Sequence, residues 1–421
     1  MEDKLLKTFF EKERWENAIN KGVVKEIDKG LLKKLCTPQI RMELYKRIKE
    51  NRYSIMPPHE AQIPKDDGTM RTVYVNEGID RVILSIINDM FFELCSDMVH
   101  PRCVSYQKGI GCGKVVQEAT KWIATVPVEK REIGLKADLS KYFDSVPIQF
   151  IDEVFDKIEE RTGKSKILDI VREYYHMDYV FDMDKNLIEK YTSLRQGCAV
   201  AAFLADAVLY DMDEAISSMD TYYIRYSDDI LIVGGVWEEG AEILKQKLYE
   251  KGLILNPKKV ETLYSDKWFK FLGFNIKRTQ ITLSKTRVKR FQKEIESRTV
   301  KNKSRSQKYI VNRVNDYLYK GKDDHSWATN VLPIINVEKD IDTLNEFVMD
   351  CIRGSVTGKK RIGGIGSVQG EDYTIQRGKG RNVASNRSKT EKIIEGYMSL
   401  RCMRKAILTS REAYNTLVMQ L

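Results

Sequence analysis

The chain is poor in histidine and holds no paired cysteine motif. Its four His and seven scattered Cys, with no CxxC pair among 421 residues, exclude the usual zinc-ligand spacing and a disulfide framework. They point to reduced thiols in a cytoplasmic protein. No run of about 18 apolar residues occurs, so no membrane span is expected. The start, Met1-Glu2-Asp3-Lys4 with Glu11 and Glu13 behind it, lacks the basic-then-apolar form of a secretory leader. No internal repeat is visible. What the chain has in plenty is charge, with 71 Lys+Arg against 61 Asp+Glu. Residues 277–421 carry a surplus of +15 and residues 1–276 a balance of −5. A basic region of that size makes nucleic acid the first candidate partner.

Residues 1–52 read as amphipathic helices rich in Lys and Glu. Asp67-Gly68 is a hairpin signal between two β-prone runs, which places Lys65 and Arg71 on its two arms. Ile79, Val82, Ile83, Ile86, Ile87, Met90, Phe91 and Leu94 make one helical face. Lys108-Gly109-Ile110-Gly111-Cys112-Gly113-Lys114 lacks the spacing of a phosphate loop and has Val115 after its Lys. It reads as a turn before a helix at 114–124. A long apolar helix is expected at about 199–217, another helix at 237–251 and a strand pair around Phe271-Leu272-Gly273-Phe274. From 280 onward the chain reads as helical and basic. Its segment 354–380 holds eight glycines and too few apolar residues to pack as a core.

Tyr226-Ser227-Asp228-Asp229 lies between two β-prone runs and reads as strand, tight turn, strand. Two adjacent carboxylates at a hairpin tip repel each other, and a bound cation offsets that cost. Carboxylates with open positions suit Mg²⁺, which takes its other ligands from substrate phosphates. Asp138 ends an earlier strand-like run, Ile133-Gly134-Leu135-Lys136-Ala137-Asp138. If the strands are neighbours, three acids converge as a two-metal phosphoryl-transfer centre requires. Acids alone would equally suit a nuclease. Asp206, Asp211 and Asp213 read as structural or solvated.

Order and spacing narrow the choice. Ile63–Arg71, Asp138–Asp144, Arg195-Gln196-Gly197, Tyr226–Asp229, Lys259 and Phe271-Leu272-Gly273 resemble the successive motifs of bacterial reverse transcriptases. Group II intron proteins, retron enzymes and stand-alone phage-defence enzymes share this form. The resemblance covers about residues 55–280. It implies an α+β right-hand polymerase, with fingers and palm at 53–276 and a thumb with a basic helical extension at 277–421, behind an N-terminal helical region at 1–52. It implies RNA-templated DNA synthesis with two Mg²⁺ ions, Mn²⁺ being a possible substitute. Asp138, Asp228 and Asp229 would be the metal-associated acids. Lys65 and Arg71 would grip the incoming triphosphate, and Gln196 and Gly197 would line the nucleotide pocket. Lys259, with Lys258 as rival, would protonate pyrophosphate. Phe143 would lie beneath the sugar and exclude a 2′-hydroxyl, and Phe271–Phe274 would support the primer. Asp144 fits either a further family acid or a helix cap.

The subtype is less legible. The Asn-Ala-x-x-His signal of retron enzymes is absent, and Val356-Thr357-Gly358 lies far beyond the acidic pair. The tail lacks the Cys/His clusters of intron endonucleases. The closest resemblance is to the stand-alone defence enzymes, which copy a partner noncoding RNA into cDNA from dNTPs. An intron-type maturase and a retron-type enzyme remain the alternatives.

Overall fold

The computed structural model describes residues 3–20, 30, 33, 37–65, 68–107, 109–301, 306–320, 326–357, 365–367, 375–377, 394–409, 412, 415 and 418. The chain divides into two compact units. One comprises residues 1–108 and 135–261, the other 109–134 and 262–421. These limits differ from the sequence boundaries at 53 and 277. The N-terminal helices Lys4–Phe9, Lys12–Asn20 and Pro38–Lys49 belong to the first unit, because Phe9, Trp15, Leu44 and Ile48 lie in its core.

In the first unit β1 (His59–Pro64) and β2 (Met70–Val75) form the expected hairpin, with Ile63 opposite Arg71. Gly68 takes φ 87° at the turn, and Asp67 lies outside the described residues. β3 (Glu132–Asp138) ends on the first acid. β4 (Tyr179–Phe181) and β5 (Leu187–Glu189) extend the first hairpin into a sheet of order β2-β1-β4-β5. β6 (Tyr222–Tyr226) and β7 (Asp229–Val233) pair antiparallel. β3 and β8 (Glu261–Tyr264), strands that run across the unit boundaries at 134 and 261, complete with them the sheet β6-β7-β3-β8. Ile230, Leu231, Ile232 and Val233 are all buried, so β7 is covered on both faces and reads as a continuous apolar run. Helix Gly78–Leu94 buries Val82, Ile83, Ile86, Ile87, Met90 and Phe91 of the expected face, while Ile79 is half-buried and Leu94, at the helix end, is exposed. Each buried side chain contributes roughly 1.5–3 kcal/mol by leaving water.

The helix expected at 199–217 is two helices, Ala201–Ala207 and Tyr210–Ser217. The interruption has a use: it lets Ala205 and Asp206 present backbone carbonyls, and Asp213 its carboxylate, to one buried arginine.

In the second unit β9 (Phe269–Phe271), β10 (Phe274–Lys277) and β11 (Gln280–Leu283) form a sheet of order β11-β10-β9. Phe271 and Phe274 pair across a turn in which Leu272 takes φ 45° and Gly273 φ 81°. This is the expected strand pair, and both rings are buried in the core beside its turn. Helix Cys112–Thr125 also belongs here. A Cβ on Gly113 would lie 2.7 Å from Ile334 Cγ1, and Gln117 donates to the Pro333 carbonyl at 3.2 Å. Helices Lys285–Arg298, Gln307–Asn315, Glu338–Thr357 and Leu400–Thr409 supply the helical tail. Most of the glycine-rich segment lies outside the described residues, apart from the paired strands Ile365–Ser367 and Ile375–Arg377. Among the described residues no helix is long and apolar enough to cross a membrane.

Candidate active site

Tyr226 pairs with Asp229, which leaves Ser227 and Asp228 as the two-residue tip of the β6–β7 hairpin. Ser227 takes φ 58°, a conformation that glycine or asparagine adopts more readily. A buried network holds it there. Its N–H donates to Ser105 Oγ at 2.9 Å, and Ser105 Oγ donates to Asp206 Oδ1 at 2.7 Å. Arg225, fully buried, donates to the Ser227 carbonyl at 3.2 Å and to Asp213 at 2.8 and 2.6 Å. Tyr223 donates its hydroxyl to the same carboxylate. Burial pushes Asp206 up to about 6 against the pull of Arg225. Asp206 and Asp213 are therefore structural. Asp211 is instead an exposed partner of Lys251 at 3.1 Å.

The three acids meet because β3 and β7 are neighbours. Leu139 N–H donates to the Asp228 carbonyl at 3.2 Å, directly after Asp138. Asn256 N–H donates to the Asp138 carbonyl at 2.8 Å. That loop brings Lys259 Nζ to 2.6 Å from Asp138 Oδ2, with Lys259 still half-exposed. Burial raises the Asp228 carboxyl, and Asp138 adds to the shift. Burial, then Asp228, then Asp138 push Asp229 up to about 6. For Lys259, burial opposes the charge. Asp138, Asp228 and Asp229 outweigh it and hold the ammonium above its ordinary range.

This donor set fits Mg²⁺. It offers only carboxylate oxygens, hard ligands whose mutual repulsion a divalent cation relieves. Among the described residues, no group of three or more acids is arranged to hold a metal ion.

Of the residues assigned to the nucleotide, Lys259 and Arg71 are tied to the acids themselves, by a hydrogen bond and electrostatically. Lys65 and Arg71 are exposed on the two arms of the β1–β2 hairpin. Arg71 acts electrostatically on both Asp228 and Asp144. Partial dehydration raises Asp144, while Lys190, Lys141, Arg71 and Lys65 pull it down, so four cations face one acid. Phe143 is partly buried at the edge of the core, its ring edge-to-face with Tyr142 at 5.7 Å. Its carbonyl accepts from Leu194 N–H at 3.1 Å, which ties it to the loop carrying Gln196.

Gln196 and Gly197 sit against β2. The Gln196 carbonyl accepts from Tyr74 N–H at 2.7 Å. Gly197 has φ 107°, and a Cβ there would lie 2.9 Å from the Tyr74 carbonyl oxygen. Within the chain, the close approach that requires glycine is thus made to Tyr74. Sequence reasoning missed Ser105 and Arg225. The one available signal was a cation inside an otherwise apolar strand run, Tyr222–Tyr226.

Residues 63–276 match the family described as reverse transcriptase (RNA-dependent DNA polymerase). Among solved structures, the chain is similar to telomerase from Candida albicans in complex with a TWJ fragment of telomeric RNA. The identity is 12% and the TM-score 0.42, over 76% of this chain and 63% of that one. It is also similar to apo telomerase from Candida tropicalis truncated from its C-terminal domain. There the identity is 15% and the TM-score 0.39, over 57% and 59% of the two chains. The chain therefore spans about three fifths of the length of these structures. No curated protein matches.

Proposed function

This chain belongs to the reverse transcriptase family, and we propose that it copies an RNA template into cDNA at the Asp138–Asp228–Asp229 cluster. Its fold is accordingly an α+β right-hand polymerase. The carrying observation is the β3–β7 adjacency, which puts the residue after Asp138 in hydrogen-bond contact with the hairpin tip.

In this reading Asp138, Asp228 and Asp229 hold two Mg²⁺ ions, with Mn²⁺ as a substitute. The bound ions would polarise the 3′-hydroxyl and neutralise charge on the leaving pyrophosphate. Arg71 and Lys65 bind the triphosphate of the incoming dNTP, Arg as a fork of donors and Lys as a point charge. Lys259 keeps Asp138 oriented before substrate enters, and its proton is then available to pyrophosphate. Phe143 excludes a 2′-hydroxyl. Gln196 and Gly197 fix the pocket loop to β2. Residues 53–276 act as fingers and palm, and 277–421 as thumb and RNA-binding extension.

The surplus of +15 in the last third supports binding of a structured noncoding RNA as template. The order of its motifs resembles that of the phage-defence enzymes and supports a cytoplasmic role of that kind. The test is primer extension on an RNA template by the full chain. Asp228→Ala and Asp229→Ala should each abolish incorporation while leaving the thermal unfolding transition cooperative. Normal cDNA synthesis by the double variant would overturn the assignment.

A further inference from the structure

The second unit contains a cavity of about 630 Å³ remote in sequence from the acids. Arg287, Arg290 and Arg298 reach it from one face of helix Lys285–Arg298, and Arg313 from helix Gln307–Asn315. Phe291 and Trp327, 4.4 Å apart between ring centroids, close its back wall and are buried. The charges are unevenly matched. Arg298 donates to Glu294 and lies over Tyr317 at 4.2 Å, and Asp316 pairs with Lys320 at 3.1 Å. Arg287 and Arg313 meet no carboxylate among the described residues. Arg287 lies over the Phe274 ring at 4.3 Å, and its buried Nη1 has no hydrogen-bond acceptor. Burial, with Arg290 beside it, pulls its guanidinium below the ordinary range.

A buried donor without an acceptor costs about 1–3 kcal/mol, and an entering anion removes that cost. Guanidinium forks match phosphate oxygens in pairs. Roughly 300–1,000 Å³ is the size of a pocket that holds a nucleotide-sized ligand, well above what inorganic phosphate fills. Phe291 and Trp327 offer aromatic faces on which the base of such a nucleotide can stack.

We propose that this cavity binds the terminal phosphates of a nucleotide, carried either on the 5′ end of an RNA strand or on a free nucleoside triphosphate. The cavity shares no residue with the acidic cluster, and the proposal does not depend on the chemistry assigned there.

Fluorescence anisotropy on the full chain tests it, with a short RNA labelled at its 3′ end and carrying either a 5′-triphosphate or a 5′-hydroxyl. EDTA in the buffer withholds metal from the acidic cluster. The native protein should bind the triphosphate RNA about tenfold more tightly, equivalent to about 1.4 kcal/mol. Arg313→Gln and Arg287→Gln should each erase that preference. Arg313→Lys, which keeps the charge and loses the fork, should retain part of it. Unlabelled ATP that displaces the triphosphate RNA from the native protein, with competition lost in Arg313→Gln, would identify the free nucleotide as an occupant. Failure of ATP to compete, with the 5′-phosphate preference intact, would identify the strand end. Arg313 is only partly buried, and a native melting curve of Arg313→Gln confirms that the comparison is between folded proteins. Equal binding of the two RNAs by the native protein without ATP competition would overturn the proposal. So would a preference unchanged in both glutamine variants.

Discussion

Ser105 Oγ accepts the backbone N–H of Ser227 at 2.9 Å and donates its own hydroxyl hydrogen bond to Asp206 Oδ1 at 2.7 Å, across 122 and 101 residues of sequence. One hydroxyl therefore fixes the turn that aims Asp228. Removing it strands a buried N–H and a carboxylate oxygen whose partner, Oδ2, already lacks a hydrogen bond. Ser105→Ala should cost about 1–3 kcal/mol in urea unfolding and lower incorporation, although Ser105 belongs to none of the sequence motifs. Native stability in this variant would remove the network from the explanation of the turn.

Asp229 gives a pH signature. Its folded-state value of about 6 lies above the ordinary carboxyl value of about 3.9. Between these values the folded chain binds more protons than the unfolded one, so stability falls as pH rises through that window. Asp229→Asn should therefore melt at a higher temperature than the native protein at pH 7.5 in EDTA. The gain should be on the order of 1–2 kcal/mol and shrink towards pH 4. Added Mg²⁺ should raise the native melting temperature and narrow the gap. A gap that is constant with pH would contradict this account.

Gly197 is constrained twice, by φ 107° and by the Tyr74 carbonyl 2.9 Å from where a Cβ would sit. Gly197→Ala should cost roughly 1–3 kcal/mol and raise the KM for dNTP, because the loop cannot stay on β2. Differential scanning calorimetry and steady-state kinetics measure the two effects separately.

Phe143→Ala should admit ribonucleotides, raising their kcat/KM relative to deoxynucleotides by about tenfold or more, equivalent to about 1.4 kcal/mol. Unchanged sugar selectivity would leave Phe143 as a core-edge ring only.

The hairpin that carries Asp228 and Asp229 was legible in the sequence because hairpin chemistry is local: Tyr226–Asp229 and its flanking strands occupy adjacent positions. The strand ending at Asp138 was legible for the same reason. What supports them was not. Ser105, Asp206, Asp213 and Arg225 are brought together by tertiary packing, and none has a local pattern that reveals its partner. The interruption of the 199–217 helix was hidden because an apolar run does not show where carbonyls must turn towards a buried cation. Gly197 reads in the sequence as part of the nucleotide pocket, but a sequence cannot say that within the fold its close neighbour is Tyr74. Phe271 and Phe274 pair across a turn that Leu272 enters at positive φ, which residue type does not advertise.

Because helix Cys112–Thr125 packs with residues from the far end of the chain, through Gly113 on Ile334 and Gln117 on Pro333, the second unit is not a detachable C-terminal module. A fragment starting at residue 262 would lack a helix that its own core is shaped around. A fragment ending at 261 would keep that helix with its apolar face bare. Domain exchange between such chains would have to cut at three places in the sequence, around 108, 134 and 261, so recombination at a single junction leaves one unit incomplete.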